Sequence, residues 1–166
     1  MLSLYDLIPA DEGYRFINNV GDEYYVYLTA YSLLDSRHPD EGFYIETYML
    51  GFNCKRCNPM QKQRYDSKSK ATILSIFKVF LTQYPDNAFL YICDNQDGLA
   101  RNRRILFGRW FNEVNTIYER HHTHIKYGKD NWYSAVIIKM DNVNKQIYLD
   151  AYNYTLQQML DSGDNG

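Results

Sequence analysis

The chain has 166 residues, of which 45% are hydrophobic and 23% charged, and this suits one folded domain with a sizeable core. The formal net charge of −2 provides no general attraction to nucleic acid or to an anionic membrane surface. No stretch approaches the roughly 18 consecutive apolar residues of a membrane helix. These quantities argue against a strongly basic nucleic-acid-binding protein and a helical membrane protein, and they favour a single domain over residues 1–166.

Two features predict a cytoplasmic protein. The segment Met1–Asp6 lacks the basic stretch and following apolar run of a signal peptide. The three cysteines, an odd number, do not form a self-contained disulfide framework. We therefore expect the protein in the reducing environment of the cytoplasm.

Three strands are predicted in the first third of the chain. Tyr14–Ile17 and Glu23–Ala30 are aromatic and β-branched runs on either side of Asn18–Asp22. Asn and Gly accept the positive φ of a tight turn, so these runs predict a β-hairpin. The polar stretch Asp35–Gly42 predicts a loop, and the alternating Phe43–Phe52 predicts a third strand.

The polar and basic segment Asn53–Asp66 predicts a second long loop. Asp66 or Ser67 can cap a following helix. That helix has an apolar stripe at helical spacing, formed by Ile73, Ile76, Phe77, Phe80 and Leu81. It ends at Pro85–Asn87, and the apolar run Phe89–Cys93 then predicts a central strand buried on both faces.

The last third of the chain predicts a helix, a strand and a helix. The first helix spans Leu99–Tyr118, with an apolar face of Phe107, Trp110, Phe111, Val114, Ile117 and Tyr118. Trp132–Met140 is the strand, and a third helix follows from Asn142, before a frayed tail at 162–166. The order β-β-β-α-β-α-β-α predicts an α+β fold with a mixed, mostly antiparallel sheet and helices packed on it.

One stretch of the chain carries a recognisable pattern. It consists of Tyr91-Ile92-Cys93-Asp94, Asp97-Gly98, Arg101, Arg104, Phe107 and Arg109-Trp110-Phe111. This run resembles a family of small bacterial proteins of unknown function, in which a helix rich in Ile and Phe precedes it, as Thr72–Phe80 does here. The resemblance implies a shared domain, and it implies no activity.

The element order is also similar to the core of the Gcn5-related acetyltransferase fold. There, three antiparallel strands lead through a pyrophosphate-binding loop into a helix, a strand, a helix and a strand. The resemblance implies acyl-coenzyme A as cofactor, with the loop on Gln63–Ser69. Neither glycine of that fold's loop pattern is present in this segment, and no tyrosine stands at 102–104 after Asn95.

Basic residues crowd the starts of the first two predicted helices. Candidate anion- or cofactor-binding residues are Arg64, Ser67, Lys68, Ser69, Arg101 and Arg104. A helix N-terminus carries partial positive charge and free N–H groups, so basic side chains there can form an anion site. The other interpretation is a solvated surface, since charge runs usually face water.

The Cys54-Lys55-Arg56-Cys57 segment places two thiols at a spacing found in zinc sites. Only Cys93, His121, His122 and His124 could complete such a site, and the alternative ligand set is Cys54, Cys57, His122 and His124. No second pair stands at the usual spacing, and Cys93 fits the core of its strand. We therefore favour no metal and keep this four-residue zinc site as the alternative.

Asp94 directly follows the predicted central strand, at the end of the strand where α/β proteins often bind ligands. The carboxylate is a candidate general base or a ligand for a substrate amine. Alternatively, Asp94 fixes the turn through local hydrogen bonds or pairs with Arg101 or Arg104, and Asp97 caps the next helix. Both interpretations of Asp94 stay open.

The chain is tyrosine-rich, with 17 tyrosines and an aromatic share of 16%. Tyr24, Tyr25 and Tyr27 alternate along one strand, so some of them are expected at the surface, where tyrosines suit protein interfaces. An oligomer through the Tyr24/Tyr25 hairpin is one expectation, and a tyrosine-rich core is the other.

Two functions follow from these features. The first is a non-catalytic binding or interaction module for an anionic ligand or a protein partner, without a cofactor. The second is a divergent acyl-CoA-dependent N-acyltransferase with Asp94 as its base. The missing glycines favour the first. Both require the starts of the two helices, marked by Arg64 and Arg104, to converge beside the Phe89–Cys93 strand.

Overall fold

The computed structural model describes residues 3–62, 66–93, 100–114, 117–127 and 130–163. Its elements are β1 Ile8–Ala10, β2 Gly13–Ile17, β3 Glu23–Leu34, β4 Tyr44–Lys55, α1 Ser67–Gln83, β5 Phe89–Cys93, α2 Ala100–Val114, β6 Tyr118–Tyr127, β7 Asp130–Lys139 and α3 Lys145–Gly163. The strands form one seven-stranded sheet in the order β1-β2-β3-β4-β5-β7-β6. The α+β class and the mostly antiparallel sheet are confirmed.

Contacts between residues divide the chain into two compact units. The first comprises Met1–Thr29 and Leu50–Tyr84, and the second comprises Ala30–Met49 and Pro85–Gly166. Strands β3 and β4 contribute residues to both units. The single domain over residues 1–166 stays a prediction. No helix among the described residues combines the length and apolarity that a membrane crossing requires.

The β2–β3 hairpin in the first unit is confirmed. Its register pairs Phe16 with Tyr24, and the Asn18 N–H donates to the Asp22 carbonyl at 3.0 Å. Gly21 in the turn has a φ of 88°, a left-handed conformation that glycine adopts without a Cβ clash. The Asn18 side chain accepts the Asp22 N–H at 2.9 Å, so the turn residues themselves set the register.

The core of the first unit joins this hairpin to α1. The apolar stripe predicted for the helix is buried at Ile73, Ile76, Phe77 and Phe80. The rings of Phe16 and Tyr24 stack 4.8 Å apart and 4° from parallel. Tyr24 is therefore a core residue.

The core of the second unit lies between the sheet and α3. Leu90 and Val136 from neighbouring strands pack with Tyr148, Ala151 and Tyr152 of the helix. Strand β5 is buried at four of its five residues, as predicted for a central strand. This packing fixes the β5–β7–β6 part of the sheet on which the candidate site lies.

The predicted order β-β-β-α-β-α-β-α was incomplete because it lacked β1 and β6. The second helix ends at Val114, and Tyr118 begins β6 instead of continuing the helix. Strand β6 has mostly polar side chains, with Ile125 buried, so it lacks the apolar alternation that identifies a strand. Pairing with β7 over ten residues, from Tyr118↔Lys139 onward, defines it instead.

A carboxylate–guanidinium pair closes the β3–β4 loop. Arg37 Nε donates to Asp35 Oδ1 at 2.9 Å, and its second nitrogen donates to Oδ2 at 2.6 Å. These hydrogen bonds lower the pKa of Asp35 from 3.8 to about 2, against the opposing effect of burial. The charged carboxylate therefore stabilises the folded state above its unfolded pKa, and the contribution is lost as the pH falls towards 2.

We expect Asp35→Asn to lower the thermal midpoint at pH 7, because the paired charge is lost. The difference from the unsubstituted protein should shrink as the pH falls from about 4 to about 2, and thermal melts across this range measure it. Asp40→Asn, in the exposed part of the same loop, is the control. A constant difference at all pH values would contradict the assignment.

Candidate anion-binding site

The start of α1 already holds a carboxylate of the chain itself. Asp66, one of the two predicted caps, is the N-cap, and its Oδ1 accepts the Ser69 N–H at 2.5 Å. The buried Ser69 hydroxyl donates to Asp66 Oδ2 at 3.0 Å. Both groups of Ser69 that an external anion would need are therefore hydrogen-bonded within the helix start.

The other predicted residues at this helix start have different surroundings. Ser67 is exposed, and the Lys68 ammonium lies 4.3 Å from the centroid of the Tyr5 ring, where a cation is attracted to the ring face. Arg64 lies outside the described residues. The anion-binding roles of Arg64, Ser67, Lys68 and Ser69 stay predictions.

A surface cleft of about 450 Å³ lies beside this helix start. Two basic and two acidic residues share its lining, which consists of Val20, Asp22, Arg56, Asn58, Gln61, Lys62 and Asp66. Arg56 donates to the Gln61 carbonyl, and Asp22 accepts the Cys57 N–H at 2.9 Å. The balanced charge gives this cleft no preference for an anion.

Arg104 of α2 is the predicted residue with the most distinctive surroundings. It is partly buried, and its guanidinium carbon lies 4.9 Å from the centroid of the Tyr133 ring. Its Nε is buried and has no hydrogen-bond partner in the described part of the chain. Burying a donor without a partner is costly, so this nitrogen is suited to a ligand.

A second arginine, Arg120 of β6, lines the same small cavity as Arg104. Its guanidinium lies against the backbone of α2 at Gly108, where an added Cβ would be 2.7 Å from an Arg120 nitrogen. Burial lowers the pKa of Arg120, and the positive charge of Arg104 lowers it further. The missing side chain of Gly108 therefore provides the space in which two like charges lie close together.

We call these two side chains the arginine pair. The cavity between them is about 10 Å³, smaller than a ligand, and its other lining residues are Tyr91, Cys93, Phe107, His122, Tyr133, Ser134 and Ala135. Tyr91 and Phe107 stack at 4.0 Å and form an apolar wall. No ion pair between either arginine and a carboxylate occurs among the described residues. The arginine pair therefore has no carboxylate partner within the part of the chain that the structure describes.

Arg101 and Asp94 complete the predicted set. Arg101 is exposed, one turn before Arg104 on α2. Asp94 and Asp97 lie outside the described residues, so the base and cap roles stay predictions. The expected convergence of Arg64 with Arg104 likewise stays a prediction.

Of the alternative zinc ligands, Cys54 and Cys57 lie in the first unit and His122 and His124 in the second, and the zinc site stays a prediction. No three His, Cys, Asp or Glu side chains come together as a metal site within residues that the structure describes. Cys57 is exposed and Cys54 partly buried. His124 stacks on Tyr133 at 4.8 Å, and its Nε2 lies 2.8 Å from the Asn131 side-chain oxygen. Its contacts are thus with the β6–β7 pair.

Sequence reasoning missed Arg120, His122 and Gly108 as members of this site. The missing signal was the β6 strand itself, since the alternation of Arg120, His122 and His124 is typical of one strand face. Across the intervening strand β7, the register places Arg120, His122 and His124 level with Phe89, Tyr91 and Cys93 of β5.

The fold and site together define an α+β protein with a partly buried arginine pair on one face of its sheet. Residues 65–154 match the profile of a family of unknown function (DUF6169). The match covers more than half of the 166 residues, and the chain belongs to this family. No curated protein and no solved structure matches the chain.

Proposed function

We propose that this protein is a non-catalytic module that binds a small ligand carrying a phosphate or carboxylate group. The arginine pair carries this proposal. Arg104 and Arg120 are both partly buried, they repel one another, and neither pairs with a described carboxylate. The three cysteines, Cys54, Cys57 and Cys93, form no disulfide in the described part of the chain, and this suits the cytoplasm as the compartment.

The two arginines lie close together although their charges have the same sign. On a solvated surface, two arginines can extend into water and avoid each other. Here Arg120 is held under α2 at Gly108, and Arg104 lies over Tyr133. An anion between them would replace their repulsion by two attractions, and the planar guanidinium matches phosphate and carboxylate oxygens in a bidentate manner.

We expect Arg104→Met to raise the dissociation constant for inorganic pyrophosphate by about tenfold or more, because one charge-assisted contact is lost. Isothermal titration calorimetry measures this dissociation constant. Inorganic phosphate and succinate serve as further probes, which distinguish phosphate ligands from carboxylate ligands. Arg109→Met is the matched control, since Arg109 is exposed on the same helix.

The unliganded Arg104→Met protein should be at least as stable as the unsubstituted one, because removing one charge relieves the repulsion on Arg120. Lower stability together with unchanged pyrophosphate binding would make the arginine pair a structural feature and contradict the proposal. Absence of binding by all three probes would also contradict it.

The second candidate is an acyl-CoA-dependent N-acyltransferase. One observation favours it: three neighbouring strands, β2, β3 and β4, lead through α1 to β5, as the acetyltransferase resemblance implies. In this candidate, Asp94 is the base and the segment from Arg64 to Ser69 holds the pyrophosphate. The Asp66 carboxylate at the Ser69 N–H opposes it, because it would repel a phosphate there.

Coenzyme A and acetyl-coenzyme A in a thermal-shift series distinguish the two candidates. A ligand that binds the folded state raises its thermal midpoint. If coenzyme A and acetyl-coenzyme A both raise the thermal midpoint, and still do so in Arg104→Met, the result would favour the transferase. Stabilisation that Arg104→Met removes would place the phosphates at the arginine pair.

A further inference from the structure

One edge of the sheet is formed by the long strand β6. Its described backbone pairing is with β7, on one side of the strand. Strand β6 is last in the strand order, and β7 is its described partner over ten residues, Tyr118–Tyr127. The opposite end is β1, a three-residue strand that contains Pro9. Short strands and proline protect an edge against pairing, whereas β6 has neither proline nor glycine.

Most basic side chains of β6 lie on one face of the strand, where Arg120 and Lys126 carry the positive charges and two histidines lie between them. Four basic residues alternate along it and share one face, where the register places them opposite Ile137, Ala135, Tyr133 and Asn131 of β7. They are Arg120, His122, His124 and Lys126. The last three are exposed. Alternate residues recur about every 6.8 Å along a strand, so this face is a row of regularly spaced donors.

The basic row, formed by Arg120, His122, His124 and Lys126, favours some strands over others as a pairing partner at the β6 edge. A second copy, paired antiparallel about a two-fold axis through the sheet, would place basic residues directly against basic residues, which is destabilising. An extended segment with carboxylates at every second position has the same spacing and the opposite charge. Its carboxylates would lie opposite the basic row while its backbone extends the sheet.

We propose that the outer edge of β6 binds an extended acidic segment of a partner protein by strand addition. This inference goes beyond the proposed function, because its contacts are the β6 backbone and the exposed side chains of His122, His124 and Lys126, whereas Arg120 belongs to the arginine pair. Arg104, on α2, belongs to the small-ligand site and takes no part in strand pairing.

The test uses a fluorescent eight-residue peptide of alternating Glu and Val, titrated with the full chain in an anisotropy assay. Its block isomer, with four Glu followed by four Val, has the same charge but the wrong spacing. We expect the block isomer to bind about tenfold more weakly. Lys126→Glu should weaken binding of the alternating peptide to a similar extent, and His121→Gln, on the opposite face of β6, should not.

Backbone pairing is tested by methylating the peptide nitrogens. Alternate N–H groups of a strand point to the same edge, so methylation at all Glu or at all Val positions blocks one edge at a time. One of these two peptides should lose binding and the other should keep it. The proposal would be overturned if the two methylated peptides bound equally, or if the block isomer bound as tightly as the alternating peptide. It would also be overturned if the alternating peptide did not bind, or if an oligothymidylate bound more tightly.

The Arg104→Met protein separates this inference from the small-ligand proposal. It should bind the alternating peptide as the unsubstituted protein does while losing affinity for pyrophosphate. Loss of both would mean that the two ligands share one site, which would also overturn the strand-addition proposal.

Discussion

Replacing Gly108 by alanine should weaken anion binding about tenfold while leaving the folded protein at least as stable. The new Cβ would lie 2.7 and 3.0 Å from the two terminal nitrogens of Arg120. The guanidinium, rather than the α2 backbone, must therefore move, and it would move away from its position beside Arg104. Alanine also favours a helix interior over glycine by about 1 kcal/mol, so stability and binding should change in opposite directions.

Calorimetric titration with pyrophosphate and urea denaturation measure the two effects of Gly108→Ala. Asn112→Ala is the matched control, because it raises helix propensity at an exposed position of α2 without approaching Arg120. Unchanged binding in Gly108→Ala, beside lost binding in Arg120→Met, would show that the position of the Arg120 guanidinium is unimportant. Lower stability would show that the helix itself is displaced.

Replacing Tyr24 by alanine should reduce the free energy of unfolding by about 3–5 kcal/mol, the usual cost of deleting a large buried aromatic side chain. Tyr24 is fully buried, and it stacks on Phe16, which in turn stacks on Tyr5 at 5.5 Å. Removing this ring leaves a cavity in the core of the first unit. Urea denaturation at neutral pH measures the loss.

Tyr25→Ala provides the comparison within the same strand. Tyr25 lies on the opposite face, partly exposed, with its ring 5.3 Å from that of Tyr27, so its loss should cost much less. An equal cost for both substitutions would contradict the assignment of Tyr24 to the core. The oligomer through the Tyr24/Tyr25 hairpin stays a prediction, and its surface would have to come from Tyr25, as size-exclusion chromatography of Tyr25→Ala would test.

The elements that were predicted correctly depend on neighbours in the chain. Asn18–Asp22 forms its turn through its own backbone and the Asn18 side chain. Asp66 caps α1 through a residue three positions away. Strand β5 is buried at nearly every position because its residues are apolar at nearly every position. Such features are visible in the sequence because the interacting groups are close together in it.

The elements that were missed depend on partners far along the chain or on weak patterns. Strand β1 has three residues and pairs with β2, which is too short a run for any periodicity. Strand β6 has polar side chains on both faces and owes its conformation to β7. The helical spacing of Ile117 and Tyr118 with α2 was coincidental, since β6 begins at Tyr118.

The sequence by itself therefore determined the α+β class, the hairpin, the cap of α1, the buried central strand and the membership of Arg104 in a basic segment. Tertiary structure alone decided that Arg120 lies under Gly108 and close enough to repel Arg104. The reason is physical: a charge is placed in a site by the register of its strand against its neighbour and by the space that a missing side chain leaves. Neither property is encoded in the spacing of residues along one element.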